Sequence, residues 1–485
     1  MEKEGISTTS QGETEQPEGM GHATEKYALS DSVVKFRSDD SDEGQRPVRI
    51  GLVQIQNWRL RQWFPALINP VTVPLGLFSG RGNRENWNEI KLAHLDRLIR
   101  RGHKDGQCQQ DSAEATRGML ARFEALEQQI RLQHRDTDDI FKANGWSDSR
   151  QALEALLLDC AFILEQLLQH WEAGTRSITV MRPGRYRHEL VRFCNQVPYM
   201  LHQELMRLVK LPTTLLPDKC GGSRDGFLVM LVIGYVLAEE ASEWLLTQYK
   251  GPVHHLLHLV HLHLASAVEQ RPVAPPPQGS SSLVWPLIRK CEAFYYAAKK
   301  TLRRAHGVAK PRRQSLLETA WWSYSMIPPA SDLHRVGIRL RPPKKAASCC
   351  LAAVHFKDQD GVLELPPLDL DGFDSELLVN LVALELEWEW GSSQRLFLSY
   401  AVFMSNLMTS ESDMNVLQAA GVVARKLTKM VSDGNLYWVV LKGLAELNNG
   451  RELHTHFVRL AHQVKSSYDH LNRAAPCATS SCFSE

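Results

Sequence analysis

Residues 147–171, SDSRQALEALLLDCAFILEQLLQHW, decide the fold class of this chain. Their apolar side chains recur every three or four positions, so they line one face of an α-helix. Ser147 or Ser149 stands where a helix-capping side chain is preferred. The segment therefore predicts a long helix whose buried stripe consists of Leu153, Leu156, Leu157, Ala161, Leu164, Leu167 and Leu168.

The helical period continues on both sides of this segment. Near the N-terminus it places Trp87, Ile90, Leu95 and Ile99 on one stripe. Residues 65–82, which precede this stripe, contain several prolines that argue against a helix there. The whole pattern predicts a mainly α fold, a multi-helix globular domain with helices at about 87–99, 147–171, 186–209, 226–249, 253–268, 283–304 and 316–325, and a helical pattern that resumes from 376 to about 472.

A small β insert is predicted at about residues 335–366. Apolar and polar residues alternate in Val336–Leu340, in Val354–Phe356 and in Val362–Leu365, which is the period of a strand. Asp360 and Gly361 separate the last two segments, and this dipeptide is a strong signal for a hairpin turn. The fold class is therefore helical with a β-hairpin or small sheet.

The ends of the chain have a different composition from its middle. Residues 1–47 are acidic and polar, with eleven acidic against five basic side chains up to Arg46, and predict a disordered leader. Residues 48–473 predict a single helical domain, and residues 474–485 a disordered tail. The net charge of +1 leaves about +7 outside the leader, too weak and dispersed to favour a nucleic-acid partner.

The composition indicates a soluble cytoplasmic protein. Nine scattered cysteines form no regular spacing, which is typical of a reduced compartment. The N-terminus has no apolar stretch, so we expect no secretory signal. The most apolar segment, Phe227–Ala238, is shorter than the roughly 20 residues that cross a bilayer. We therefore expect no integral membrane span.

The densest polar feature is a histidine cluster. His254, His258 and His261 are spaced four and three residues apart, so a helix would place them on one face and two of them could share a metal ion. The stretch lacks the glutamate of the H-E-x-x-H motif, and an amphipathic helix explains the spacing equally. We predict no catalytic residue, no cofactor and no metal site here.

Other features have both a functional and a structural interpretation. Lys299–Arg304 and Lys310–Arg313 are basic and could contact phosphate or an anionic membrane, or form a solvated helix end. Cys349 and Cys350 could be lipidated, or could point to opposite faces of a buried strand. Asp159 interrupts an apolar face and could carry a proton, or be satisfied by an amide or an arginine.

Two short motifs stand out along the chain, Val73-Pro-Leu-Gly76-Leu-Phe78 and Asn195-Gln-Val-Pro198 followed by Tyr199. The second is similar to the Asn-Gln-Ile-Pro-aromatic signature of the plant domain-of-unknown-function 247 family, and the first resembles the N-terminal turn motif of that family. The match runs from about Arg46 to Asn472. The residues that carry it are Gly76, Asp159, Asn195, Gln196, Pro198, Gly337, Asn380, Glu385, Tyr400, Asp413 and Gly421.

The chain departs from the family pattern at three places. Cys194 stands where members usually have a glutamate, and Pro74 and Leu77 replace the usual serine and proline of the turn motif. Residues 475–485 have no apolar run where members usually carry a membrane anchor. We therefore expect a chain without that span, although peripheral membrane contact remains an alternative.

The resemblance implies no catalytic activity. Some grass members have been linked to pollen recognition, so it implies a protein partner and a recognition or signalling scaffold. Two alternatives stay open. One is an enzyme whose site is assembled from dispersed residues such as Asp159, Glu385 and the histidine cluster. The other is a peripheral membrane protein that uses its basic segments.

Overall fold

A computed structural model describes the chain from residue 58 to residue 474, within the unit Pro47–Glu485. The description omits residues 79–80, 102–107, 135–139, 143, 147, 176–182, 212–214, 221, 270–326, 344–351, 370–371, 389–394, 424–435 and 449–450. The predicted leader and tail, and the helices expected at 283–304 and 316–325, lie outside the described residues.

Helices account for most of the described residues, which confirms the predicted fold class. Their bounds are α1 Trp58–Trp63, α2 Pro65–Ile68, α3 Arg81–Arg100, α4 Cys108–Ala125, α5 Glu127–Gln133, α6 Ser149–Thr175, α7 Arg187–Val191, α8 Tyr199–Leu208, α9 Arg224–Leu237, α10 Glu243–Thr247, α11 Leu256–Glu269, α12 Ala330–Arg335, α13 Phe373–Glu387, α14 Leu396–Leu407, α15 Glu411–Ala419, α16 Leu436–Glu446 and α17 Thr455–Ala474.

Helix α6 is the long helix that residues 147–171 predict, and it forms the centre of the N-terminal half. It packs against α3, α4, α8 and α9, so it is buried over much more of its circumference than one stripe. Its first turn is held by Asp148, whose Oδ1 accepts the backbone N–H of Gln151 at 3.0 Å. The predicted cap at Ser147 or Ser149 was therefore one residue away from the observed capping side chain.

Proline and a left-handed residue break two of the predicted helices. The helix expected at 186–209 is interrupted by a 3₁₀ turn at Phe193–Asn195 and by extended residues up to Pro198. Proline has no N–H and restricts the residue before it, so α8 starts only after it. The helix expected at 226–249 ends where Ala238 adopts φ 57°.

Two predictions near the N-terminus were wrong. Pro65 starts the short helix α2, where a missing N–H costs nothing in the first turn. In α3, Ile90 is 42% exposed whereas its neighbour Lys91 is completely buried. The apolar stripe expected through Ile90 therefore includes a lysine instead, because a partner inside the protein compensates its charge.

The predicted β insert is a three-stranded sheet formed by β1 Arg339–Arg341, β2 His355–Lys357 and β3 Val362–Glu364. The strand order is β1-β3-β2, with β1 parallel and β2 antiparallel to β3. The hairpin between β2 and β3 is confirmed. A 3₁₀ turn precedes Gly361, whose φ of 60° is left-handed.

The C-terminal half is built on α13 and α14. Helix α13 contacts α2, α7, α11, α14 and α16, so Phe373 and every residue from Ser375 to Glu387 are buried. Helix α12 packs on α15, and α17 packs on α14 and β2. Within the described part of the chain, no helix is long and apolar enough to cross a membrane.

A close backbone contact joins residues 73–78 to the Asn195-Gln196 segment. Gly76 has φ 66°, and a Cβ atom built on it would lie 2.2 Å from the backbone oxygen of Gln196. Both its conformation and the missing side chain are therefore required for residues 73–78 to lie against the Asn195-Gln196 segment.

We predict that Gly76→Ala destabilises the protein by more than about 2 kcal/mol, because alanine adds left-handed strain and a clash with backbone. Gly118→Ala is the matched control, since this glycine lies in α4 and a Cβ atom added to it would meet nothing within 4 Å. It should stabilise the helix by up to about 1 kcal/mol. Urea unfolding of both variants checks the prediction, and equal midpoints would contradict it.

Candidate functional site

Asp159 is the centre of a buried ionic cluster. Its Oδ2 accepts the backbone N–H of Gly76 at 2.9 Å and Nη2 of Arg84 at 3.0 Å. Its Oδ1 accepts Nζ of Lys91 at 2.7 Å. Lys91 also donates to the backbone oxygen of Pro74 at 2.5 Å. Helix α6 thus holds the 74–76 backbone and the inner face of α3 with one carboxylate.

The cluster has two basic side chains and one carboxylate, all buried. Burial lowers the pKa of the Lys91 ammonium, and Arg84 lowers it further, while the charge and the hydrogen bond of Asp159 oppose the change. A lysine with a lowered pKa can act as a base or a nucleophile. Here its nitrogen donates to two protein oxygens, which favours a structural role.

Asn195 and Glu189 hold the residues just before Gly76. Asn195 Oδ1 accepts the backbone N–H of Leu75 at 2.7 Å, and its Nδ2 donates to the backbone oxygen of Val73 at 3.0 Å. Glu189 Oε1 accepts the N–H of Thr72 at 2.6 Å. The side chains of Asn195 and Glu189 therefore provide hydrogen-bond partners for an irregular segment whose backbone groups are not paired in a helix or a sheet.

Gln196 connects this segment to the histidine-rich helix. Its Nε2 donates to the backbone oxygens of Leu190 and Arg192, at 2.9 and 2.7 Å. Its Oε1 accepts the N–H of Leu257 at 3.1 Å, in the first turn of α11. Pro198 follows as the residue before α8, where no intrahelical N–H is needed.

Asn380 makes the equivalent connection from α13. Its Oδ1 accepts the N–H of Phe193 at 2.7 Å, and its Nδ2 donates to the backbone oxygen of Leu67 at 2.8 Å. One helix turn away, Glu376 pairs with Arg192 at 2.7 Å. Segments that are far apart in the chain thus meet at one place.

Glu385 and His261 come together at the interface of α13, α11 and α14. Glu385 Oε1 lies 3.0 Å from Nε2 of His261 and accepts the N–H of Phe397 at 2.9 Å. Its Oε2 accepts the N–H of Leu398 at 2.8 Å. A completely buried carboxylate that binds two amides at a helix start is an internal cap.

Asp413 is the last carboxylate of the motif set. Its Oδ1 accepts both the N–H and the hydroxyl of Ser331, and its Oδ2 completes a capping box with Ser410. Burial alone would raise its pKa, but the hydrogen bonds from Ser331, Ser410 and Thr409 lower it below the usual value. The side chain thereby joins the starts of α12 and α15.

The remaining motif residues are structural. Gly337 and Gly421 have φ of 93° and 74°, and each lies just after a helix end. Tyr400 is completely buried and its ring centroid lies 6.1 Å from that of Phe457.

The structure keeps two of the three candidate histidines together and directs the third elsewhere. His254 precedes α11 and stacks on His258 at 5.2 Å, while His258 also packs on Trp388 at 4.7 Å. His261 is directed to Glu385 instead. Within the described ranges, no three His, Cys, Asp or Glu side chains are placed to hold a metal ion together. The basic segments 299–313 and the cysteine pair Cys349 and Cys350 lie outside those ranges.

Sequence reasoning missed Arg84, Glu189 and Arg192. Glu189 and Arg192 are three residues apart and precede Asn195. Opposite charges at this spacing predict an ion pair on one face of a helix, so the sequence did contain a signal for them. Arg84 gave no signal, because its partner is 75 residues away.

The fold and this network define a mainly helical protein in which polar motif side chains bind backbone groups of distant segments. The chain belongs to the plant protein family of unknown function DUF247, which it matches over residues 57–481. This confirms the resemblance drawn from the motifs. The chain is also similar to the Arabidopsis thaliana putative UPF0481 protein At3g02645, with 33% identity over 101 residues. That match covers 21% of this chain and 18% of the relative. No solved structure matches the chain.

We predict that Asp159→Asn destabilises the fold by about 3–5 kcal/mol, because two buried cations lose their counter-charge. Asp96→Asn is the matched control, since Asp96 pairs with Arg100 on the exposed side of α3. That change should cost less than about 1 kcal/mol. Urea unfolding measures both, and similar losses would show that burial does not set the contribution of Asp159.

The buried histidines predict a loss of stability in mild acid. Burial lowers the pKa of His134 and of His202 to about 4. A backbone hydrogen bond opposes this change at His134, and the charge of Asp159 opposes it at His202. The unfolded chain, with pKa near 6.5, then binds more protons than the folded chain below that pH. The stabilising effect of the neutral rings is therefore complete above pH 6.5 and is lost as the pH falls towards 4.

Between pH 6.5 and 5.5 each of these two rings should remove about 1 kcal/mol of stability. Urea midpoints measured from pH 8 to pH 5 test this. A midpoint that is constant down to pH 5 would contradict the neutral, buried state of both rings.

Proposed function

We propose that this chain is a non-enzymatic recognition or signalling scaffold that binds a protein partner. The observation that carries the proposal is at residue 71. The backbone N–H of Val71 donates to Glu189 at 3.2 Å, while the residue as a whole is 67% exposed. The buried network therefore fixes the backbone of a residue that presents an apolar side chain to solvent.

Such an arrangement favours binding, because an apolar contact residue that is already ordered loses little entropy when a partner covers it. Further large apolar side chains are exposed on α3 and α5, namely Ile90, Leu92 and Leu132. The polar motif residues support the same proposal, since their oxygen and nitrogen atoms hold internal backbone groups.

A dispersed enzyme site is the alternative, and one observation bears on it. Of its candidates, Glu385 and His261 meet at 3.0 Å, whereas Asp159 belongs to the separate cluster with Lys91. The Glu385 carboxylate is buried and its two oxygens accept two backbone N–H groups and face His261, so groups of the protein itself occupy it.

We also propose a cytoplasmic location. Reversible membrane contact through residues 299–313 is the remaining alternative. Fractionation of plant-cell lysates at low and high salt separates the two, because only a charge-dependent membrane contact is released by salt.

We predict that Val71→Lys lowers recovery of the bound partner about tenfold, since a buried apolar contact contributes about 1–2 kcal/mol. The matched control is Thr72→Lys, because Thr72 is also exposed and its N–H is held by the same glutamate. Tagged full-length chains are recovered from plant cells with quantitative mass spectrometry. Identical protein sets for both variants, with unchanged melting temperatures, would refute the role of Val71.

A further inference from the structure

The first turn of α11 is capped by two histidine side chains. The helix begins at Leu256, so His255 occupies the N-cap position and His258 the third position of the helix. Nδ1 of His255 accepts the backbone N–H of His258 at 3.2 Å. Nδ1 of His258 in turn accepts the backbone N–H of His254 at 3.3 Å. This pair, the histidine cap, resembles a capping box, although its second bond reaches one residue further back.

The histidine cap requires neutral rings. A neutral imidazole has one nitrogen that accepts and one that carries a hydrogen, whereas both nitrogens carry a hydrogen in the protonated ring. Since Nδ1 of His255 and of His258 each accept an N–H, each neutral ring carries its hydrogen on Nε2. Protonation of Nδ1 therefore breaks the hydrogen bond that it accepts. It also adds a positive charge at a helix N-terminus, where the helix dipole is already positive.

The packing of the two rings favours the neutral form. Both rings are buried, and their centroids lie 5.3 Å and 4.7 Å from that of Trp388. Burial lowers the pKa of His255 and of His258 well below the usual value. A positive ring beside an indole gains a cation–π contribution, but it still cannot accept an N–H.

The charges that act on the histidine cap are those of other histidines. They lower the pKa of His255 and of His258 further, so protonation adds like charges to one cluster. Helices α7, α9, α10 and α13 pack against α11. On α13, Glu385 faces His261 and binds two backbone N–H groups. The other acidic side chains of these helices are Glu189, Asp225, Glu243, Asp374, Glu376 and Glu387, and the basic ones are Arg187, His188 and Arg224.

The capped turn is connected to residues 196–199. The backbone oxygen of His254 accepts the N–H of Tyr199 at 2.7 Å. The N–H of Leu257 donates to Oε1 of Gln196 at 3.1 Å. Gln196 and Tyr199 belong to the Asn-Gln-Val-Pro-Tyr motif, so opening of this turn also removes two contacts of that motif.

We propose that the start of α11 is a proton-sensitive switch, in which acid protonates His255 and His258, opens the first turn of the helix and releases it from residues 196–199. The pKa of each ring is about 6.5 when the turn is open and lower when it is capped. The contribution of the cap is therefore complete above pH 6.5 and is lost as the pH falls below that value. From pH 7.5 to pH 5.5 the equilibrium constant for opening should rise about tenfold for each ring, or about 100-fold in total.

Hydrogen exchange of the full-length chain, measured by mass spectrometry from pH 7.5 to pH 5.5, tests this switch. After correction for the intrinsic exchange rate, protection of peptides covering residues 253–262 should fall by about 100-fold. At pH 5.5 it should also be lower than the equilibrium constant for folding obtained from urea unfolding at the same pH, because only one turn opens. A fall smaller than about tenfold, or a protection equal to that constant, overturns the proposal.

The variant His255→Ser/His258→Gln separates the charge of the rings from their hydrogen bonds. Serine and glutamine form the usual capping box, and neither side chain titrates. Protection of residues 253–262 at pH 7.5 should stay within about threefold of the wild-type value, and it should no longer fall towards pH 5.5. The matched control is His462→Gln, which replaces an exposed histidine of α17 and should keep the full fall. A double variant that loses as much protection in acid as the wild type overturns the proposal.

The single variant His255→Ser decides the question if the double variant does not fold. Serine is a preferred N-cap residue, and His258 remains as the one titrating ring of the cap. The fall in protection between pH 7.5 and pH 5.5 should then be about tenfold instead of about 100-fold. An unchanged fall shows that protonation of His255 is not linked to opening of the turn, which overturns the proposal.

Discussion

The bond between Asp159 and the backbone N–H of Gly76 is the contact on which the N-terminal half depends. Residues 71 and 72 are exposed, and residues 73–77 then cross the interior without regular secondary structure, so each of their N–H and C=O groups needs a partner from elsewhere. Asp159, Asn195 and Glu189 supply these partners from three different elements. The glycine is required because its φ is left-handed and a Cβ atom at this position would lie 2.2 Å from the backbone oxygen of Gln196.

The same solution recurs in the C-terminal half. Asn380, Glu385 and Asp413 each bind backbone N–H groups of another segment, at the 3₁₀ turn, at the start of α14 and at the start of α12. A buried amide or carboxylate is stable only where such donors satisfy it, so each of these side chains fixes the position of a helix end. The helices therefore pack in one arrangement, because their ends are fixed as well as their apolar faces.

The sequence predicted the features that depend on neighbouring residues. The period of residues 147–171 predicted α6, and Asp360-Gly361 predicted the hairpin, because spacing along one element determines both. The motif residues could be named in advance, but their roles could not. Asn380 and Leu67 are 313 residues apart, and no local pattern encodes that pairing. Ile90 was wrongly expected to be buried for the same reason: α3 buries Lys91 instead, because Asp159, which is 68 residues away in the chain, lies beside it.

The geometry distinguishes polar side chains that bind internal backbone groups from those that are available to another molecule, a distinction that the sequence alone does not give. A carboxylate that accepts three donors, as Asp159 does, has little capacity left for a substrate, and a glutamate that caps α14 is constrained in the same way. The recognition role that we propose would then use outward-facing groups on backbone that the network holds in place. Val71 has both properties, since Glu189 binds its N–H while its side chain faces solvent. A single residue can therefore have a backbone N–H that the buried network holds in place and a side chain that is free to contact another molecule.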